Sequence, residues 1–300
     1  MDPELEAFVP LLPRTDLNDP VAYRTMYAEL AAARPAPDTT GLEIEARTVP
    51  ADPEVPVRIY RPLSGAAPGA FIWLHGGAWV VGDLDVEEHW AAPIARLSGA
   101  VVITVDYRLS PEHRFPAALD DAYAVLAWTY EHAAELGIDP DRIAVGGHSA
   151  GGNLAAAVAL RARDEQGPPV RFQLLNEAIL DDRQQTWSAR NFTDTPWNTR
   201  DVRATALAHY LGSQPATPYA APARAEDLSG LPAAYVATAE FDPNRDEGIA
   251  YALRLLEAGV PVELHQWPGT FHGSLALQSA DVSQRQLTEL GAVLRRALAA

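Results

Sequence analysis

The sequence predicts an α/β fold: a mostly parallel, eight-stranded sheet with helices on both faces and a helical cap, formed by one domain over residues 1–300. Three observations carry this. Strand-like and helix-like segments alternate from about residue 70 to the C-terminus, the pattern of βα units. Several of the strand segments are continuous Val, Ile, Ala and Leu runs rather than alternating ones, as expected where helices cover both faces of a sheet. Two excursions, about 1–40 and about 181–228, break the rhythm and supply the cap.

The elements follow in order. In "NDPVAYRTMYAELAAARP", Asn18 or Asp19 can cap a helix and Pro20 suits its first position. Tyr23, Met26, Tyr27 and Leu30 then recur at helical spacing, and Pro35 stops the pattern. Leu42–Val49 and Val55–Tyr60, joined by "PADPE", read as a hairpin. Further strands are expected at Ala70–His75, Ala100–Asp106, Arg142–Gly146, Val170–Asn176, Ala233–Ala239 and Val262–Gln266, with helices near 86–97, 116–135, 150–163, 199–211, 246–258 and 278–299. The excursion from Asp181 to Leu228 is too long for an ordinary loop of such a fold and holds its own helix, Thr199–Leu211. The last strand, left as an edge, offers a surface for a homodimer.

Bulk properties narrow the function. A formal charge of −17 repels phosphate backbones and excludes nucleic acid as a partner. With no cysteine there are neither disulfides nor thiol chemistry. No apolar run reaches the roughly 20 residues of a membrane span. The start, "MDPELEAFVPLLPRTDLND", is acidic and broken by prolines, unlike a secretory signal, and points to a cytoplasmic protein.

The chemistry begins at "IAVGGHSAGGNLAAAVAL". Gly147-His148-Ser149-Ala150-Gly151 matches G-x-S-x-G between a strand and a helix, where glycines permit the tight turn that lifts a serine hydroxyl into the open. A serine hydroxyl needs a neighbouring base, and the base needs an orienting acid. Downstream histidines are His209 in the cap helix, His265 in the last strand and His272 in "PGTFHGS" after it; the loop position favours His272. "YVATAEFDPNRDEG" offers Glu240, Asp242, Asp246 and Glu247. Asp242 stands at the strand's end, whereas Asp246 and Glu247 suit the first turn of the following helix. Acyl transfer also needs donors for the developing oxyanion, and "LHGGAWVVG" directly after a strand supplies Gly76, Gly77 and Ala78, with Ala150 adding a donor at its helix N-terminus. His75 reads as structural.

"HGGAW", "VDYRLSPEHRFPAALDDAY", "GHSAGGNLA", "FDPNRDEG" and "PGTFHG", in this order and spacing, resemble the hormone-sensitive-lipase-like family of bacterial carboxylesterases from about Val55 to the C-terminus. The resemblance implies an α/β-hydrolase fold and a cofactor-free, metal-free enzyme acting on small-molecule esters with short acyl chains. By motif, Ser149 would be the nucleophile, His272 the base and Asp242 the acid, with Gly76, Gly77, Ala78 and Ala150 around the oxyanion. A non-catalytic receptor on the same fold is the alternative from another class, and an amidase, lactonase or acyltransferase would use the same machinery. Three positions depart from the family pattern. Ala78 replaces a glycine, His148 stands where Asp precedes the nucleophile, and Asn176-Glu177-Ala178 replaces a Tyr-Pro strand end. Contact of Glu177 with substrate or His148 is open, but an exposed loop charge is the simpler account. The tryptophans Trp79, Trp187 and Trp197 and the cap tyrosines either line a pocket or pack the cap.

Overall fold

The computed structural model describes residues 1–64 and 69–299. Its eight strands are β1 (Leu42–Val49), β2 (Val55–Pro62), β3 (Ala70–Leu74), β4 (Val101–Val105), β5 (Ile143–His148), β6 (Phe172–Asn176), β7 (Ala233–Phe241) and β8 (Val262–Phe271). They form one sheet in the order β1-β2-β4-β3-β5-β6-β7-β8. The β1–β2 and β2–β4 pairs are antiparallel, and every other pair is parallel. The helices are α1 (Pro3–Glu6), α2 (Pro20–Ala32), α3 (Leu84–Ser98), α4 (Ala117–Glu131), α5 (Ala133–Leu136), α6 (Ala150–Asp164), α7 (Trp187–Asn191), α8 (Arg200–Leu211), α9 (Arg245–Glu257) and α10 (Asp281–Ala297).

Strand periodicity divides the core in two. Phe71 and Trp73 of β3, Val102 of β4 and Leu174 of β6 turn to the face covered by α3 and α10. Their neighbours Ile72, Leu74, Ile103 and Leu175 turn to the face covered by α4, α6 and α9. Because both faces are dry, β3 and β4 are buried at every position, which explains their unbroken apolar runs. Packing to this degree on both sides fixes strand register, since a one-residue slip would exchange the two faces.

The expected helices and strands are found within a few residues, with one larger difference. β8 runs five residues past Gln266, through Pro268 and Gly269, to Phe271. A register irregularity between Ala239 and Phe241 absorbs the proline, and Phe241 pairs with Phe271. Pro268 is tolerated because β8 is the last strand of the sheet and needs its N–H groups on one side only.

The two excursions, residues 1–40 and 181–228, touch each other, and the first also touches the sheet. Asp19 caps α2 by accepting from the Ala22 N–H at 3.0 Å, with Pro20 at the first position. The Arg24 guanidinium donates to the Val80 carbonyl at 2.6 Å and pairs with Glu112 at 2.7 Å. His209 of α8 contacts the Leu17 carbonyl at 2.7 Å through Nε2. No helix among the described residues is long and apolar enough to cross a membrane.

Candidate active site

Ser149 occupies the junction of β5 and α6 with φ 57 and ψ −116, a region that side-chain-bearing residues rarely adopt. The strain is on the serine, and the flanking glycines serve close approach. A Cβ on Gly151 would lie 1.8 Å from the Leu74 carbonyl oxygen, and one on Gly147 would lie 2.3 Å from the same atom. Bonds from the β6 side hold the turn: the Ser149 N–H donates to the Asn176 carbonyl at 2.9 Å, and the Ile179 N–H donates to the Ser149 carbonyl at 3.3 Å.

Parallel strands bring the other expected residues to the same edge, because β5, β6, β7 and β8 end side by side. His272 follows β8 directly, and its Nε2 is 2.9 Å from Ser149 Oγ. Its Nδ1 donates to Asp242 Oδ2 at 2.8 Å just past the end of β7. Asp242 Oδ1 accepts from the Asn244 N–H and from Asn198 Nδ2, each at 3.0 Å. Asp242 is fully buried and His272 nearly so. Burial alone would raise the Asp242 carboxyl, but the His272 charge, its hydrogen bond and that of Asn244 hold it below its ordinary value. For His272 burial works the other way, and the Asp242 charge and hydrogen bond outweigh it, leaving the imidazole more basic than usual.

The remaining candidates have other partners. His265 stacks on Trp267 with ring centroids 3.8 Å apart and reaches Glu289 at 2.6 Å. Glu240 accepts the Gly269 N–H at 2.6 Å. Asp246 and Glu247 do lie in the first turn of α9, yet each also holds the cap. Asp246 accepts the Ser188 N–H at 2.7 Å, and Glu247 pairs with Arg203 of α8 at 2.7 Å.

The loop after β3 approaches the serine closely. A Cβ on Gly76 would sit 3.6 Å from Ser149 Cβ, and one on Gly77, at φ +108, would sit 2.0 Å from the Val81 carbonyl oxygen. Among the described residues the N–H groups of Gly76, Gly77, Ala78 and Ala150 donate to no protein acceptor. Ala78 and Trp79 both have left-handed φ, 57° and 59°. The buried His75 is a scaffold: it stacks on Tyr107 at 4.0 Å, contacts the Gly76 carbonyl, and burial lowers its imidazole to about 4.

One expectation is overturned. Glu177 is not an exposed loop charge but is 1% exposed. Its Oε2 accepts the Gly273 N–H at 2.6 Å and His148 Nε2–H at 3.0 Å. The reason lies in the register: His148 pairs with Asn176, which pairs with Ala237, so the next residue falls between the serine turn and the acid loop. His148, Glu177 and His272 bring ligand-type atoms within 4.8 Å of one another, but all three side chains are already engaged in this network.

Above these groups lies a cavity of about 700 Å³. Residues of both excursions line it, among them Leu11, Tyr27 and Trp197, together with Trp73, Trp90, Glu87 and Ser149. Of the three weighed tryptophans only Trp197 lines it. Trp79 is buried against Tyr210 at 4.1 Å, and Trp187 is on the outside. Trp73, Trp90 and Glu87 carried no sequence signal, because their places depend on how α3 packs against β3.

Residues 71–276 match the model of a family described by its alpha/beta hydrolase fold. Carboxylesterase NlhH of Mycobacterium tuberculosis is 43% identical over 268 residues, 86% of this chain and 83% of that protein. An arylesterase of Saccharolobus solfataricus is 35% identical over 308 residues, covering 98% of each chain. Among solved structures, a bacterial heroin esterase superposes with a TM-score of 0.96 at 44% identity, covering 100% of this chain and 98% of that one. The shared motifs, the sheet order and this likeness over nearly the whole chain place the protein in the hormone-sensitive-lipase-like family of the α/β-hydrolase fold.

Proposed function

We propose that the protein is a serine carboxylesterase acting on small esters with short acyl chains, with Ser149 as nucleophile, His272 as base and Asp242 as orienting acid. The observation that carries the reading is the unbroken line of hydrogen bonds from Ser149 Oγ through His272 to Asp242, opening onto a cavity beside free backbone N–H groups. The carboxylesterase and arylesterase relatives support the same reaction class.

In this mechanism Nε2 of His272 takes the Ser149 proton as Oγ attacks the ester carbonyl. The negative charge developing on the carbonyl oxygen is received by N–H groups from Gly76, Gly77, Ala78 and Ala150, aimed before the reaction and needing no reorganisation. The imidazolium, stabilised by Asp242, returns the proton to the leaving alkoxide. Water then attacks the acyl-enzyme by the same proton path and frees the acid. Residues 1–40 and 181–228 act as a cap on one hydrolase domain, and their apolar side chains select the ester. The outer edge of β8, paired on one side only, is the surface for a homodimer, testable by sedimentation.

Ser149→Ala should lower turnover of p-nitrophenyl acetate and butyrate by about 10⁴-fold or more while leaving the melting temperature unchanged. Retained activity in that variant would overturn the assignment. Rates on matched ester and amide substrates separate an esterase from an amidase.

A further inference from the structure

Glu177 has no part in the steps above, yet its placement is over-determined. Its backbone has a left-handed φ of 50°, held by its N–H to the Ala237 carbonyl at 2.8 Å and by Asn244 Nδ2 on its own carbonyl at 2.9 Å. That conformation turns a buried carboxylate under the histidine. Besides Gly273 and His148, Glu177 Oε2 lies 3.6 Å from His272 Nδ1. Its Oε1 is buried with no hydrogen-bond partner among the described residues. The His272 Nδ1 edge therefore faces two carboxylates, Asp242 at 2.8 Å and Glu177 at 3.6 Å. A buried carboxylate is costly unless charge or hydrogen bonds compensate it, and here the nearby cation is the one that forms on His272 during turnover.

We propose that Glu177 is a second positioning carboxylate for His272, dividing with Asp242 the work of holding the ring and stabilising its protonated form. This rests on the reading of Ser149, His272 and Asp242 given above. His148 completes the device. Its Nε2–H donates to the same Glu177 Oε2, its ring is 5.0 Å from that of His272, and Trp90 stacks on it at 6.0 Å. The charged and titratable groups around Glu177 are thus His148 from β5, Asp242 after β7 and His272 after β8, with Arg203 of the cap acting on the last two. The side-chain pair His148 and Glu177 stands where the family pattern has Asp and a Tyr-Pro strand end, so this arrangement accounts for two departures together.

The test compares kcat/KM for p-nitrophenyl acetate against pH in wild type, Ser149→Ala, Asp242→Ala, Glu177→Gln and the double variant Asp242→Ala/Glu177→Gln. Alanine at 242 avoids an amide that would impose the wrong imidazole tautomer. With Glu177 as a second acceptor, Asp242→Ala should lose about 10- to 100-fold rather than the roughly 10⁴-fold typical when a lone triad acid is removed, and the double variant should reach that larger loss. Removing a negative charge beside Nδ1 makes the ring less basic, so Glu177→Gln should move the acid limb down by about half a pH unit. Equal activities of Asp242→Ala and the double variant, with an unmoved acid limb in Glu177→Gln, would overturn the proposal. If Asp242→Ala fails to fold, the low-field Nδ1 proton resonance of His272 decides: a shift in Glu177→Gln supports the contact, and an unchanged resonance overturns it. Full activity in Ser149→Ala would instead remove the triad itself, a distinct result.

Discussion

Replacing Arg203 by Met breaks the link between α8 and α9 at one buried point. Arg203 and Glu247 are each about 1% exposed at their side chains and are 2.7 Å apart. The guanidinium also donates to the carbonyl oxygens of Asp181 at 3.1 Å and Pro243 at 3.4 Å, while Glu247 Oε1 accepts the Leu180 N–H at 2.8 Å. Removing one partner of a buried pair typically costs about 3–5 kcal/mol, because the other charge is left without compensation. In a chain of 300 residues that is a fall of roughly 5–8 °C in melting temperature. Burial already pushes the Glu247 carboxyl up to about 7, against the pull of Arg203 and Leu180. Without the arginine it stays protonated in the fold to higher pH, while the unfolded chain ionises near its ordinary value. Such a group stabilises fully below the unfolded pKa and loses that contribution as pH rises, so the penalty should be smallest near pH 5 and grow towards pH 8. Thermal melts at pH 5, 6.5 and 8 read this directly. Arg203→Met/Glu247→Gln, which keeps an acceptor for Leu180, should recover most of the loss and flatten the pH dependence. A single variant that melts within about 1 kcal/mol of wild type at every pH would refute the reasoning.

Three further outcomes follow from the buried titrating groups. In the proposed mechanism His272 must be neutral to accept the Ser149 proton, and although burial opposes its charging, Asp242 raises its basicity, so the acid limb of kcat/KM should lie above the ordinary imidazole value. Arg203→Met, which removes a cation acting on His272, should move that limb higher still in a pH–rate profile with an uncharged ester. Burial pushes Glu87 up to about 8 despite its 2.6 Å bond from Trp73 Nε1. Being raised, it adds stability below its unfolded pKa that is lost between about pH 4.5 and 8, and Glu87→Gln should remove that slope, by up to a few kcal/mol, in denaturant titrations across this range.

What could be read from the sequence was whatever local pattern decides. Ser149, the chain order of Asp242 and His272, and the glycine loop after β3 were legible because a tight strand-to-helix turn and a close backbone approach leave few residue choices. The fold was legible from the apolar runs of β3 to β7. Glu177 was misread because its burial comes from the ends of β5, β7 and β8, none of them near it in sequence. Trp187 and Trp197 have similar local settings, yet one lies outside and the other in the cavity. Only the path of the cap between α7 and α8 separates them. The extension of β8 through Pro268 was hidden for a related reason: an edge strand tolerates a residue that a central strand would reject.

The contact of Arg24 with the Val80 carbonyl ties α2 to the loop that carries Gly76, Gly77 and Ala78. The first forty residues are therefore attached to the Gly76–Ala78 loop as well as lining the cavity. On the proposed function, choice of ester and execution of the reaction are written in different stretches of chain that meet at this bond. Changes within α2 can alter which molecules reach Ser149 while leaving the serine turn, the acid and the histidine as they are. Changes at Arg24 would reach both functions at once, since they loosen the roof and the loop it rests on.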